Sequence, residues 1–306
     1  MEGRIIKIGC WNVSGANEEA KKQEIIDMYR SRKHDLFILT ETKLKVGRER
    51  GKDRKQVTKE RWEEITVIRT GVDENKHAKE GVAIMMSKEM EGHVKGHGCE
   101  GSRIVWVRLD IEGEDLIVVG AYAPTGHRIE DKEKFWGELN EEIEGVGGRS
   151  KVIVAGDLNA RIGNEEIKGI TGKFGLEGIT NANGHKMLQL CAERGLMVGN
   201  TLFQKRRGRK YTWTSGVDGT RAVLDYILVD KRMRGELLDV DVLQGKKGTV
   251  SDHEVVEARF RIKRRKGWRK KINRKRVIKV KELDKKEVVE RCMNNIEESW
   301  MEWARR

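Results

Sequence analysis

Side chains able to hold a metal ion or move a proton stand at the ends of several apolar segments of strand length. They are Asn12, Glu41, Asp157, Asn159, Asp252 and His253. Carboxylates such as Glu41 and Asp252 offer the hard oxygen ligands that Mg²⁺ binds in proteins, with waters and substrate phosphate completing its shell. Sheet proteins commonly bind ligands outside their strand ends, so we expect these side chains to converge on one pocket.

Together these residue types suit hydrolysis of a phosphodiester. Attack on phosphorus needs a water molecule, a base for its proton, and positive charge near the developing oxyanion and the leaving oxygen. Asp157 is the candidate base, a protonated His253 and the metal would supply the charge, and Asn12 and Asn159 are neutral donors to phosphate oxygens. Each residue alone also suits an ordinary turn or a solvated strand end.

Asp157 and Asn159 stand in the stretch GDLN, directly after an apolar run. Two residues apart on an extended backbone, their side chains would point to the same face of the strand. We therefore expect the two to act together.

The strand-length segments are rich in Val and Ile and bounded by Gly, Asp, Asn or the single Pro. They cover residues 4–13, 35–42, 81–87, 103–111, 115–124, 151–159, 224–230 and 255–262. Between them, apolar residues recur at helical spacing over 17–32, 131–146 and 183–195, and the last helix is predicted to stop at Gly195. Strands that are apolar throughout are covered on both faces, which predicts stacked sheets with helices outside, an α/β architecture.

Composition favours a polyanionic partner. The chain has 306 residues with 63 Lys and Arg against 50 Asp and Glu, a net charge of +13. That balance favours nucleic acid first and an anionic membrane surface second, although a merely soluble basic protein has the same charge. The four cysteines form no CxxC pair and indicate reduced thiols, and no run approaches a membrane span. We expect a soluble nuclear or cytoplasmic protein.

The strand and helix pattern stops after Ile262. Residues 263–281 form a block of basic charge, and the segment beyond them has a helical period. We interpret 1–262 as one domain and 263–306 as a basic linker with an amphipathic helical tail. The tail is either solvated, a nucleic-acid contact or a nuclear import signal.

The ordered motifs CWNV, LTETKL, AYAPTG, GDLNARIG, YTWTS, LDYILV and SDHEVV lie within residues 4–262. As a set they resemble the endonuclease/exonuclease/phosphatase superfamily, the deoxyribonuclease-I-like proteins. The resemblance implies a four-layered α/β sandwich of two mixed β-sheets flanked by helices. It also implies a divalent-metal-dependent phosphodiesterase that uses Mg²⁺, with Mn²⁺ often accepted.

Carried over from the family, Glu41 matches the metal-ligand glutamate and Asn12 the asparagine beside it. Asp252 matches a second acidic position near the metal, and Tyr122 the tyrosine near the scissile phosphate. From the residues alone, Tyr122 indicates only a core or half-buried aromatic side chain.

The resemblance also assigns the residues that handle protons. Asp157 matches the aspartate that orients or deprotonates the water, with Asn159 as its partner. His253 matches the histidine that contacts the phosphate, and Asp225 the aspartate that pairs with it. From its setting alone, Asp225 looks like a strand residue turned to solvent. Whether Asp157 or His253 is the base stays open at this stage.

A closer likeness concerns the substrate. The stretches NANGHKMLQLCAERGLMVGNTLF and YTWTSGVDGTRAVLDYILVD are similar to the endonuclease domains of non-LTR retrotransposons and to craniofacial-development-protein-2-like proteins. This implies an endonuclease that nicks DNA, either as a free-standing relative of those proteins or as a fragment of a longer reading frame. We favour a monomer. The alternatives are a phosphodiesterase or phosphatase acting on RNA or a small molecule, and a catalytically silent nucleic-acid-binding protein.

Residues 203–216 are both basic and aromatic. Their cations could bind phosphates, which makes Arg206, Arg207, Arg209 and Lys210 the candidate nucleic-acid contacts. Trp213 in the same stretch either packs in the core, which we favour, or touches an unstacked base.

Overall fold

The computed structural model describes residues 3–46, 57–73, 78–126, 128–164, 166–175, 178–206, 209–243 and 251–263. Residues 264–306, which hold nearly all of the predicted tail, lie outside these ranges, so the tail stays a prediction.

All eight predicted strand segments and all three predicted helices are present. The strands of the described residues are β1 Arg4–Asn12, β2 Leu36–Thr40, β3 Lys45–Val46, β4 Thr58–Trp62, β5 Ile65–Arg69, β6 Val72–Asp73, β7 Val82–Met86, β8 Val94–Glu100, β9 Ile104–Ile111, β10 Glu114–Ala121, β11 Lys151–Asp157, β12 Leu196–Val198, β13 Trp213–Thr214, β14 Arg221–Ala222, β15 Asp225–Asp230, β16 Leu237–Leu243 and β17 Val255–Ile262. The helices are α1 Glu19–Arg32, α2 Lys88–Glu91, α3 Ile129–Gly147 and α4 Ala182–Arg194.

Two large sheets carry the fold. The first has the strand order β16-β17-β1-β2-β7-β5-β4 and the second the order β12-β15-β11-β10-β9-β8. Each sheet is mixed, because β1 pairs parallel with β2 and β10 pairs parallel with β11 while their other neighbours run antiparallel. Two-stranded sheets β13-β14 and β3-β6 are added at the periphery.

The sheets stack face to face, with helices on both outer faces. Ile38 of β2 and Ile153 of β11 share the buried cluster between the sheets. Phe37, which points the other way from the same strand, packs with Ile25 of α1 on the outer face of the first sheet. α3 and α4 cover the outer face of the second sheet. Each fully buried side chain of this size contributes about 1.5 to 3 kcal/mol. The result is the predicted four-layered α/β sandwich.

The strand ends that carry the polar residues meet at one end of the sandwich. Asn12 is the register partner of Thr40, the residue before Glu41. The close approach of β11 to the end of β10 needs Gly156, which has φ +148° and where a Cβ would lie 2.0 Å from the Ala121 carbonyl oxygen. Any larger residue there would push Asp157 away from its neighbours.

Candidate active site at the strand ends

Asp157 is the centre of the site. It is the last residue of β11 and its side chain is buried. Its Oδ2 accepts a hydrogen bond from Asn12 Nδ2 at 2.9 Å, and its Oδ1 accepts one from the Asn159 backbone N–H at 3.0 Å. Because β1 and the turn after β11 supply these two contacts, the carboxylate has a fixed orientation.

Asn159 does not lie on an extended backbone. The strand ends at Asp157, and Asn159 has a φ of +45°, in the left-handed region. Its side-chain Nδ2 donates to the Ala123 carbonyl oxygen at 2.9 Å. The expectation that the side chains of Asp157 and Asn159 share one strand face is therefore wrong. Asn159 holds Asp157 through its main-chain N–H and ties the turn to the segment after β10.

Glu41 lies next to Asp157 and is also held in place. Its Oε2 accepts from Asn12 Nδ2 at 3.2 Å and from the Tyr122 hydroxyl at 3.1 Å. Its Oε1 lies 3.0 Å from Lys43 Nζ. Glu41 and Lys43 have φ values of +53° and +55°, and uncommon backbone conformations of this kind cluster at functional sites. The Glu41 side chain is 22% exposed, so an ion from solvent can reach it.

Tyr122 is held by Arg103, which sequence reasoning did not single out. Arg103 Nη1 donates to the Tyr122 carbonyl oxygen at 3.0 Å, and its guanidinium carbon lies 4.9 Å from the ring centroid. Arg103 Nη2 in turn donates to Glu80 Oε1 at 2.8 Å. Burial, and then the Glu41 charge, raise the pKa of Tyr122, so its hydroxyl stays a hydrogen-bond donor.

His253 is placed on the other side of Asp157. Its Nδ1 lies 2.8 Å from Asp225 Oδ2, and its Nε2 lies 4.0 Å from Asp157 Oδ2. The His253 backbone N–H donates to Ser251 Oγ at 3.0 Å, and that hydroxyl donates to the Asn12 carbonyl oxygen at 2.6 Å. The segment before β17 is thus fastened to the end of β1.

Asp225 is fully buried and does not face solvent, so the expectation from its setting alone is wrong and the family assignment is the one that fits. It begins β15 and is the register partner of Asp157 on β11. Its backbone N–H donates to Thr212 Oγ1 at 3.1 Å. Asp225 does not face solvent because the other residues of the site cover this end of β15.

Burial and neighbouring charges shift the pKa values of Asp157 and His253. Burial, and then the Asp225 charge, raise the pKa of Asp157 well above its ordinary value. Burial alone would lower the pKa of His253, but the hydrogen-bonded Asp225 carboxylate outweighs it and raises that pKa to about 9. His253 is therefore protonated at neutral pH, while Asp157 is able to exchange a proton near it.

The site fits a hard divalent cation. Asp157, Asp225 and His253 offer ligand atoms within 4.8 Å of one another, and Asp225 Oδ1 is buried without a hydrogen-bond partner. Glu41 is not one of these three residues, but Asn12 Nδ2 donates to both Glu41 and Asp157, and the Glu41 side chain is 22% exposed and so accessible to an ion from solvent. Carboxylate and amide oxygens are the donors that Mg²⁺ and Mn²⁺ prefer.

Asp252 lies at the rim. It is exposed, and its Oδ2 accepts from Trp213 Nε1 at 2.7 Å. Trp213 is half-buried in the β13-β14 hairpin, so the expectation that it packs in the core is wrong. Trp213 stays near the surface because its indole N–H donates to the carboxylate of Asp252, the residue before His253.

The candidate nucleic-acid residues lie in the segment between β12 and β13. Arg206 and Arg209 are exposed, Arg209 Nη2 is 3.1 Å from Asp241 Oδ2, and Lys210 Nζ is 5.0 Å from the Tyr211 ring centroid. Arg207 lies outside the described residues. The Arg209 contact places this segment against β16.

The fold and the site together define a phosphate-ester hydrolase architecture, and the family comparison agrees. The chain belongs to the Endonuclease/Exonuclease/phosphatase family, whose model matches residues 9–253. Craniofacial development protein 2 from Bos taurus is 33% identical over 186 residues, which cover 60% of this chain and 31% of that protein. The same protein from Tragulus javanicus is 32% identical over 186 residues, 60% of this chain and 32% of its own length. The alignment thus spans about a third of these curated relatives.

Solved structures share the fold at low sequence identity. A Neisseria 3′ phosphatase bound to a product DNA hairpin has a TM-score of 0.59 at 18% identity, covering 83% of this chain and 99% of that one. An AP endonuclease from Archaeoglobus fulgidus has a TM-score of 0.60 at 18% identity, covering 84% and 100%. The endonuclease domain of a telomere-specific non-LTR retrotransposon has a TM-score of 0.57 at 13% identity, covering 84% and 99%. Within the described residues, no helix is long and apolar enough to span a bilayer.

Proposed function

We propose that this protein is a divalent-metal-dependent endonuclease that nicks DNA by direct attack of water on the phosphodiester. The observation that carries the proposal is the Asp157 carboxylate, held by Asn12 and by the Asn159 N–H, with His253 Nε2 at 4.0 Å. A base and a cationic donor side by side are what in-line attack on a phosphate requires.

In this proposal Asp157 takes the proton of the attacking water. His253, protonated and paired with Asp225, donates from Nε2 to an oxygen of the phosphate and stabilises the charge that develops there. Asp225 fixes the orientation of the imidazolium through Nδ1 and favours its protonated form. These protonation states favour Asp157 over His253 as the base.

Glu41, Asn12 and Asp252 are the residues we propose to hold Mg²⁺, with Mn²⁺ as a substitute. When bound, the ion would neutralise negative charge on the phosphate and the leaving oxygen. Tyr122 and Lys43 keep Glu41 in position through contacts at 3.1 and 3.0 Å. Asn159 acts through the orientation of Asp157, since its own amide is engaged by Ala123.

DNA is the proposed substrate because the chain carries a net charge of +13 and because a structural neighbour was solved with a DNA hairpin. The similarity to a retrotransposon endonuclease domain favours internal nicking over removal of an end. The nucleic-acid contacts that we propose are Arg206, Arg207, Arg209 and Lys210.

The proposal is tested by incubating the purified full chain with supercoiled plasmid in Mg²⁺, in Mn²⁺ and in EDTA. Conversion to open circles with either metal, and none in EDTA, is the expected result. Parallel assays use single-stranded RNA and a chromogenic phosphodiester. Hydrolysis of those substrates alone would replace the DNA endonuclease with an RNA or small-molecule phosphodiesterase. DNA binding without hydrolysis of any of the three would indicate a catalytically silent binding protein.

A further inference from the structure

A cavity lies beside the candidate active site. It has a volume of about 280 Å³ and opens between β16, at the edge of the first sheet, and the segment that follows β12, at the edge of the second. Asn200 lines it and also connects it to the site, because its Nδ2 donates to the Asp225 carbonyl oxygen at 3.0 Å. The cavity is therefore adjacent to the strand that carries Asp225.

The lining of this cavity is strongly basic. It has four cationic side chains and one carboxylate, namely Lys173, Lys205, Arg209, Lys210 and Asp241. Asp241 lies 3.1 Å from Arg209 and 3.7 Å from Lys205, and Lys205 is also 2.5 Å from Asp239 on the same strand. The carboxylates of β16 thus orient two of the cations, while Lys173 is exposed. The excess of positive charge favours an anionic ligand.

The remaining wall is aromatic and apolar. Phe174 is half-buried beside Lys173, and Phe203, Val240 and Val242 complete the surface. A simple inorganic anion would make no favourable contact with this apolar wall. A nucleotide has a phosphate that the cations can bind and a base that can stack on an aromatic ring. The volume of about 280 Å³ is just below the usual range for small-ligand pockets, and a cavity of this size is too small for a duplex.

We propose that this cavity binds one unpaired nucleotide, with its phosphate at Lys173 and Lys210 and its base against Phe174. The nucleotide is either part of a strand whose scissile phosphate lies at Asp157 or a free mononucleotide. The first source rests on the proposed nuclease function, and the second does not.

The test measures binding in EDTA, where no cleavage is expected. Fluorescence anisotropy follows a labelled oligothymidylate, and calorimetry follows thymidine monophosphate, with the wild-type chain and with Lys173→Glu and Phe174→Ala. Lys168→Glu is the matched control, because Lys168 is exposed on the same segment and does not line the cavity. Each cavity variant is expected to weaken oligonucleotide binding about tenfold, and the control less than about twofold.

Loss of binding to both ligands in the cavity variants identifies a free-nucleotide site, and loss for the oligonucleotide alone identifies a site for a strand. Oligonucleotide affinity that is the same in Lys173→Glu, Lys168→Glu and wild type overturns the proposal, and Lys173 is exposed enough for that variant to fold. Plasmid nicking by the same preparations separates the two proposals. If wild type does not nick plasmid but Lys173→Glu weakens oligonucleotide binding, the nucleotide cavity is supported and the nuclease is refuted. If wild type nicks plasmid but Lys173→Glu leaves oligonucleotide affinity unchanged, the nuclease is supported and the nucleotide cavity is refuted.

Discussion

Asp157 and Asp225 face each other as register partners on β11 and β15, and both side chains are buried. Two buried carboxylates at adjacent positions destabilise a fold unless a cation or a proton lies between them. Here His253 Nδ1 lies 2.8 Å from Asp225, whereas His253 Nε2 is 4.0 Å from Asp157, so the imidazolium stabilises Asp157 less closely and the pKa of Asp157 stays raised. This arrangement lowers the stability of the fold, and it leaves Asp157 with a carboxylate that is able to accept a proton near neutral pH.

Asp157→Asn should therefore stabilise the metal-free protein as pH rises. The pKa of Asp157 is higher in the folded protein than in the unfolded chain, so its ionisation destabilises the fold. This destabilisation begins as the pH rises past the ordinary pKa of an aspartate and is complete above the raised pKa of the folded state. The gain in free energy of unfolding should be absent at about pH 4 and reach the order of 1 to 3 kcal/mol at about pH 8. Urea denaturation in EDTA measures it, with Asp230→Asn, a buried aspartate at the far end of β15, as the control. A gain that does not change with pH would refute the raised pKa.

Asp225→Asn should make His253 easier to deprotonate. The pKa of His253 is about 9 because the Asp225 carboxylate outweighs the effect of burial. Without that charge the pKa should fall by more than about one unit, and nicking at neutral pH should fall about 100-fold. NMR titration of the imidazole in EDTA measures the first effect, with exposed His185 on α4 as an internal reference. An unchanged His253 titration in a folded variant would show that Asp225 does not control its charge.

Tyr122→Phe should reduce nicking about tenfold, since it removes the hydroxyl that donates to Glu41 at 3.1 Å. Arg103→Met should reduce it as well, because Arg103 holds the Tyr122 main chain and covers its ring. The two changes act on one contact, so the fold loss of nicking rate in the double variant should be smaller than the product of the two single-variant fold losses. Tyr29→Phe, a buried tyrosine of α1, is the control for loss of a hydroxyl. If the fold losses of nicking rate simply multiply in the double variant, Arg103 does not act through Tyr122.

Gly156→Ala should destabilise the fold by about 3 kcal/mol or more, because a Cβ would clash with the Ala121 carbonyl oxygen at a φ of +148°. The matched change Gly137→Ala, on the exposed face of α3 where no atom lies within 4 Å of the new carbon, should stabilise it by about 0.5 to 1 kcal/mol. Urea denaturation of both variants gives the comparison. Equal effects of the two would mean that β10 and β11 tolerate a wider spacing at the site.

Most of the central strands were predictable because they are buried on both sides, although the internal strand β5, with four of its five residues buried, was missed. β11 and β2 are apolar over nearly their whole length, and the sequence pattern places them within a few residues. The edge strands β4 and β8 were missed, since most of their residues alternate between half-buried and exposed and the exposed positions carry polar or charged side chains. Sequence periodicity is weakest where a strand has a solvent-facing side.

The site was predictable as a set of residue types and less so as a geometry. The motifs identified Glu41 and Asp157, but the left-handed turn at Asn159 has no signal in a Gly-Asp-x-Asn pattern. Arg103 was missed because its contact with Tyr122 joins residues whose strands pair only in the folded sheet. Such contacts depend on tertiary packing, which local spacing does not encode.

The most direct test of the central claim is single-turnover nicking of plasmid in Mg²⁺ by wild type, Asp157→Asn and Asp230→Asn, together with their DNA affinities. If Asp157 takes the proton of the attacking water, Asp157→Asn should nick about 1,000-fold more slowly while binding DNA within about twofold of wild type. Asp230→Asn should nick at the wild-type rate. An Asp157→Asn variant that nicks as fast as wild type would contradict the account.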